Sequence, residues 1–180
     1  MKIVKKIFII LITLVVILLI VALFAKKDYD VEKEIVIDKP RQEVFNYIKF
    51  LKNQNNYSKW ATMDPGMKKE YRGADGTVGF VSAWDSDQKE VGKGEQEIKK
   101  ITDGKRIDYE LRFIKPFEST EQTYMATDAV SENQTKVKWG FNGRMNYPMN
   151  LMLLCMNMEK MVGDDLQTGL NNLKNIVEKQ

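Results

Sequence analysis

From Ile7 to Ala25 the chain runs 19 residues with Thr13 as its only member outside the apolar set, and lysines stand on both sides: Lys2, Lys5 and Lys6 before, Lys26 and Lys27 after. A helix made of this run is apolar on every face, so it cannot lie half-wet on a protein surface. At ~1.5 Å per residue it would span roughly 28 Å, close to the hydrocarbon thickness of a bilayer, where the backbone must satisfy its own hydrogen bonds. The flanking lysines suit the two interfaces. A cleaved secretory signal is the competing reading. The run is long for one, and cleavage after Ala25 would leave Leu23 where a small residue is wanted. We therefore expect residues 1–27 to form a membrane anchor, with a transmembrane helix over about 7–25, and residues 28–180 to form one domain. The lysines before the helix favour an amino terminus inside and an extracytoplasmic domain; Lys26 and Lys27 keep the cytoplasmic orientation as the alternative.

Setting the anchor apart changes the charge balance. The chain has 28 basic and 25 acidic residues, but five of the lysines and no acid lie in residues 1–27, which leaves 23 basic against 25 acidic, or −2, for the rest. The basic excess belongs to the anchor, so no nucleic-acid partner is expected. Histidine is absent and Cys155 is the single cysteine. Histidine-dependent triads, imidazole metal sites, zinc clusters and an intrachain disulfide are thereby excluded, and no acidic spacing resembles a calcium loop. Neither metal nor cofactor is expected. Cys155, inside Leu153-Leu154-Cys155-Met156, reads as a small core hydrophobe.

Beyond the anchor the period of the apolar residues changes twice. Tyr29–Ile37 reads as a strand, and Asp38-Lys39-Pro40 opens a helix whose stripe is Val44, Phe45 and Ile48. Residues 50–62 suit a short second helix or an irregular crossing. Asp64-Pro65-Gly66 and Gly73-Ala74-Asp75-Gly76 are turns around a short strand at Met67–Tyr71, after which Val78, Phe80, Ser82 and Trp84 alternate through another. A strand over Gly92–Thr102 leads into the Asp103-Gly104 hairpin. The next, Arg106–Phe113, puts Ile107, Tyr109, Leu111 and Phe113 on one face. Threonine-rich residues 118–129 and then 135–146 follow as strands, the latter with Val137, Trp139, Phe141 and Met145 on one side. From Met149 the period lengthens, and Met158, Met161, Val162, Leu166, Leu170, Leu173 and Val177 describe a long amphipathic helix. Strand, two helices, six strands and a long helix make an α+β domain in which one antiparallel sheet is covered by the last helix.

Several short features recur in that order. Ile37-Asp38-Lys39-Pro40 with Val44-Phe45, then Trp60, Asp64-Pro65, Tyr71, Gly73, Gly76, Gly79, Trp84, Gly92 and Gly94, and finally Gly163-Asp164-Asp165-Leu166 with Gly169-Leu170 and Leu173-Lys174, resemble the START-like helix-grip superfamily. Within it the chain is similar to the bacterial polyketide cyclase/dehydrase-like (SRPBCC) proteins over roughly residues 30–178. The resemblance implies a curved antiparallel sheet gripping the long carboxy-terminal helix, with a cavity between them for lipids, sterols, polyketides or other apolar molecules. Some members are enzymes. This chain has no histidine and matches no family catalytic motif, so no catalytic residue is assigned.

The large side chains on the inward faces are the candidate cavity walls: Phe80, Trp84, Tyr109, Phe113, Trp139, Phe141, Met145 and Tyr147. The same residues would serve a closed core equally well. Met145–Met161 contains six methionines in 17 residues. Their flexible thioethers suit irregular packing or an apolar ligand of variable shape, and Met152 in the all-apolar run 151–156 is the candidate gate. For acid–base chemistry Asp108, Glu110, Glu118 and Glu121 are present but none is singled out; Asp108 and Glu110 share a strand face and could pair across a site, although an exposed polar face explains them equally. Three functions are consistent with these features: binding of a hydrophobic small molecule or lipid by a membrane-anchored domain, an enzyme of polyketide cyclase/dehydrase-like type, and a protein-interaction domain without ligand.

Overall fold

The structure, a computed structural model, describes residues 2–180. Helix α1 (Lys2–Phe24) leads through Ala25–Lys27 into β1 (Asp28–Ile37). Helix α2 (Arg41–Lys49) begins after Pro40, whose fixed φ suits a helix start, and buries the stripe Val44, Phe45 and Ile48. Over residues 50–62 the chain makes an irregular crossing rather than one helix. A 3-10 turn at Leu51–Asn53 leads to α3 (Gln54–Tyr57), and the extended Ser58 (φ −65°, ψ 127°) separates it from α4 (Lys59–Met63).

The remaining strands are β2 (Lys68–Arg72), β3 (Val81–Asp85), β4 (Lys93–Thr102), β5 (Arg106–Lys115), β6 (Ser119–Ser131) and β7 (Gln134–Arg144). They form one antiparallel sheet in the order β1-β7-β6-β5-β4-β3-β2. The sheet is bent where the extra residue Lys99 lies between the pairs Ile98–Tyr109 and Lys100–Asp108, since a bulge adds twist and curvature. β3 starts later than the alternation from Val78 suggests. Gly76 and Gly79 hold left-handed backbone (φ 77° and 88°) and keep 76–79 in a turn, so Val78 is exposed.

After a 3-10 turn at Met149–Leu151 and the short α5 (Met152–Cys155), helix α6 (Met158–Val177) packs along β1 and β7 and against α3 and α4. Asn157 caps it by accepting from the Lys160 backbone N–H at 2.8 Å. Leu166, Leu170, Leu173 and Val177 are buried, each worth about 1.5–3 kcal/mol of apolar transfer. The stripe differs from expectation at its start, where Met161 is exposed and Gly163 takes the inner position. Cys155 is also exposed, because α5 lies on the surface and buries none of its residues.

Residues 3–24 are exposed except Ala22. The carboxy-terminal end of α1 is nonetheless tied to the domain. The Asn150 side-chain amide donates to the carbonyls of Ala22 (2.7 Å) and Ala25 (3.1 Å), and the Met145 backbone N–H donates to the Lys27 carbonyl at 2.8 Å.

Candidate ligand cavity

The concave face is built of cross-strand rows, because side chains at directly paired positions stand side by side. One row carries Ile98, Tyr109, Thr123 and Phe141 across β4, β5, β6 and β7; the row below carries Ile107, Met125 and Trp139. Towards α2 and the carboxy-terminal half of α6 these rows close into a packed core with Ile37, Phe45, Ile48, Leu170 and Leu173. Towards the amino-terminal half of α6 they do not close. A cavity of about 540 Å³ remains there, within the ~300–1,000 Å³ usual for small-molecule sites.

Its walls are mostly apolar. Trp139 stands edge-on to Tyr57 (5.7 Å between centroids) and to Trp60 (6.4 Å), Phe141 stacks on Tyr29 at 6.0 Å, and Trp84 meets Phe113 edge-on at 6.0 Å. The Trp84 indole lies over Gly94, the residue between it and Phe113 in the row. A Cβ on Gly94 would stand 2.5 Å from that ring, so the glycine is what lets the tryptophan lie down. Val162 and Leu166 of α6 form the roof, and Pro116, Phe117, Met145, Tyr147, Met149, Met152 and Met158 surround one end.

A polar row crosses this lining. Ser82 pairs with Gln96, Gln96 with Leu111 and Leu111 with Glu121, and all four line the cavity. Glu121 is 5 % exposed; one carboxylate oxygen accepts the Arg144 backbone N–H at 2.8 Å. Burial pushes its pKa up, against the opposing effect of that N–H and of the Ser119 hydroxyl. Tyr29 is pushed up to about 12, first by burial and then by the Glu121 charge. The cavity therefore holds a carboxyl that gives up its proton reluctantly, beside a phenol that stays protonated.

Seven of the nine residues singled out in the sequence line the cavity: Trp84, Phe113, Trp139, Phe141, Met145, Tyr147 and Met152. Phe80 and Tyr109 do not. Both are buried in the closed core, Phe80 stacked on Tyr71. Sequence reasoning missed Ser82, Gln96 and Thr123, and did not single out Glu121 from the other carboxylates. The signal for the last two was the phase of β6, in which Glu121, Thr123, Met125 and Thr127 are all buried, every second residue facing in. Asp108 and Glu110 stand on the other face of β5, occupied in ion pairs with Arg106 and Arg112, and face no site.

A curved antiparallel sheet closed by a carboxy-terminal helix around an apolar cavity defines a helix-grip protein. Residues 29–178 match the family described as polyketide cyclase / dehydrase and lipid transport, and the chain belongs to that family. Among solved structures it is similar to norcoclaurine synthase from Thalictrum flavum in complex with dopamine and hydroxybenzaldehyde (TM-score 0.65, 8 % identity, covering 89 % of this chain and 92 % of that one). It is also similar to the Aha1 dimer from Colwellia psychrerythraea (TM-score 0.55, 14 % identity, covering 83 % and 96 %). At such identities the likeness carries the fold alone. Comparison with curated protein sequences finds no match.

Proposed function

We propose that this protein binds a hydrophobic small molecule or lipid in the helix-grip cavity and is held at a membrane by α1. The observation that carries the reading is the 540 Å³ volume between α6 and the sheet, walled by Trp84, Phe113, Trp139 and Phe141. Empty apolar volume of that size forfeits packing contacts that a ligand would restore. The polar row Ser82, Gln96 and Glu121 favours a ligand with a hydrogen-bonding group in an otherwise apolar body. A fully anionic head would meet the Glu121 carboxyl unfavourably. The family's description, which includes lipid transport, agrees with this.

For the anchor, the support is a helix at Ile3–Phe24 long and apolar enough to cross a membrane. Three lysines precede its apolar run, which favours an inside amino terminus and an extracytoplasmic domain. The enzymatic alternative draws on Glu121, which, unlike the exposed Glu90 and Glu118 that also line the cavity, is buried and has a raised pKa that suits proton transfer.

The test is native mass spectrometry of the full chain released from detergent, with the retained molecule extracted and identified. Wild type should carry an apolar molecule that Ser82→Phe, which puts a ring into the cavity, no longer carries. An empty wild-type protein whose melting temperature Ser82→Phe lowers sharply would mean that the volume is closed in solution, and the reading would fail. Recovery of the molecule chemically unchanged after incubation separates binding from turnover.

A further inference from the structure

The rim of the cavity is unusual in two ways that meet at Asn150. Phe117 (69 % exposed), Tyr147 (43 %), Met149 (44 %) and Met152 (36 %) line the cavity and are at the same time open to the outside, so they form its mouth. Leu154, 60 % exposed, continues the apolar surface outward. The exposed lining also includes Glu118, Arg144 and Asn146, so the rim mixes polar groups with large apolar side chains that are unfavourable in water, and exposed apolar groups gathered in this way mark contact surfaces.

Asn150 lies between Met149 and Met152, fully buried, and spends its side-chain N–H groups on the carbonyls of Ala22 and Ala25. The last carbonyls of a helix have no partner within it, so this amide caps α1 from a point 128 residues further along the chain. The Met149–Leu151 turn touches α1 directly. The mouth is therefore held against the end of the apolar helix, beside Lys26 and Lys27. A bilayer that receives α1 reaches the same place.

Resting on the proposal that α1 spans a membrane, we infer that the rim Phe117, Tyr147, Met149, Met152 and Leu154 is a second membrane contact, docking the cavity mouth on the lipid surface from which α1 emerges. The occupant of this surface is the bilayer. Its amphipathic make-up agrees: apolar thioethers and rings that can sink into the acyl boundary, next to two lysines for the headgroups. Ligand would then pass between bilayer and cavity without crossing water.

Cys155, the single cysteine and exposed in the same segment, allows a direct test in the full chain. The protein is labelled there with an environment-sensitive nitrobenzoxadiazole maleimide and reconstituted into phosphatidylcholine/phosphatidylglycerol vesicles with or without doxyl-labelled phosphatidylcholine. The comparison is the same label in a Cys155→Ser, Asn133→Cys chain, at the exposed β6–β7 turn, the opposite end of β7 from the mouth. The Cys155 label should lose most of its emission to the doxyl lipid and be shielded from aqueous iodide, and the Asn133 label should do the reverse. Replacing both Met149 and Met152 by Lys should abolish the doxyl quenching while the protein still resists alkaline carbonate. A Cys155 label that iodide quenches and doxyl lipid does not, in carbonate-resistant protein, would overturn the inference and leave the anchor standing. Extraction by carbonate would overturn both, and neither result touches ligand retention measured by mass spectrometry.

Discussion

Gly169 of α6 faces the indole of Trp139 so closely that a Cβ on it would stand 2.7 Å from Cζ3. The helix can sit this low over the sheet only because the residue has no side chain. Alanine there should gain the ~1 kcal/mol by which it exceeds glycine as a helix former. It should lose more, because Trp139 is 4 % exposed and wedged against Tyr57 and Trp60. We expect Gly169→Ala to destabilise by about 1–3 kcal/mol net, as overpacking does, and thermal unfolding beside the exposed-face control Asn171→Ala checks it. A stabilised Gly169→Ala protein would show that α6 rides higher than described.

Phe141→Ala removes the ring stacked on Tyr29 from the cavity wall. Truncating a buried phenylalanine costs about 3–5 kcal/mol. One side of this ring borders empty space, so the lower end of that range is expected, together with loss of the retained apolar molecule. Chemical denaturation and native mass spectrometry on the same sample separate the two effects. A folded variant that retains the molecule would remove this wall from the site.

The carboxyl of Glu121 has its pKa raised by burial, so the native state holds its proton more tightly than the unfolded chain. Stability from this group is greatest below the unfolded value and declines as pH rises through the ordinary carboxylate range to the raised native one. Glu121→Gln keeps an oxygen for the Arg144 N–H and removes the titration. Its melting temperature should exceed that of wild type at neutral pH, with the difference shrinking towards about pH 4. Equal differences at both pH values would contradict a buried, reluctant carboxylate.

The outer face of β4 and β5 has the opposite sign. Arg112 pairs with Glu95 and Glu97, both at 2.8 Å, and with Glu110. Arg72 followed by Arg112 holds Glu95 below the usual carboxylate range, and Arg112 followed by Lys99 does the same for Glu97. Stability from these carboxylates is present above their unfolded pKa and is lost as pH falls through the lowered native values. Arg112→Met should cost about 1–2 kcal/mol at low salt and less at high salt, since each partly exposed pair is worth ~0.2–1 kcal/mol and the carboxylates are left facing one another. Denaturation at two ionic strengths checks both the size and the salt dependence.

Full-length protein should stay with the membrane pellet in alkaline carbonate. A tag after Gln180 should become protease-sensitive once only the outer barrier of intact bacteria is opened. Accessibility that appears solely after the inner membrane is broken would place the domain on the cytoplasmic side.

Much of the architecture is written in local periods. The inward set Ile107, Tyr109, Leu111 and Phe113 follows from the two-residue repeat of β5, and Leu166, Leu170, Leu173 and Val177 follow from the helical repeat of α6; both were readable because each depends on neighbours in the chain. The same repeats mark which face turns inward. They do not tell how far away the opposing layer stands, so Phe80 and Tyr109 looked like Trp84 and Phe113 in sequence although the first pair is packed shut and the second faces the cavity.

Inward polar residues could not be told from outward ones for a related reason. Glu121 reads as solvent-facing by composition, and only the register of β6 against β5 sets it beside Leu111 and Gln96. The apolar run 151–156 led to expectation of a buried Cys155, whereas the fold leaves it on the surface. An isolated asparagine at 150 carries no sequence signal at all, since its partners Ala22 and Ala25 are brought to it by the pairing of β1 with β7. The apolar run and its lysines determined that the chain begins with a helix fit for a bilayer. The return of the last strand to the first, a contact between opposite ends of the sequence, decided that the cavity mouth sits beside that helix.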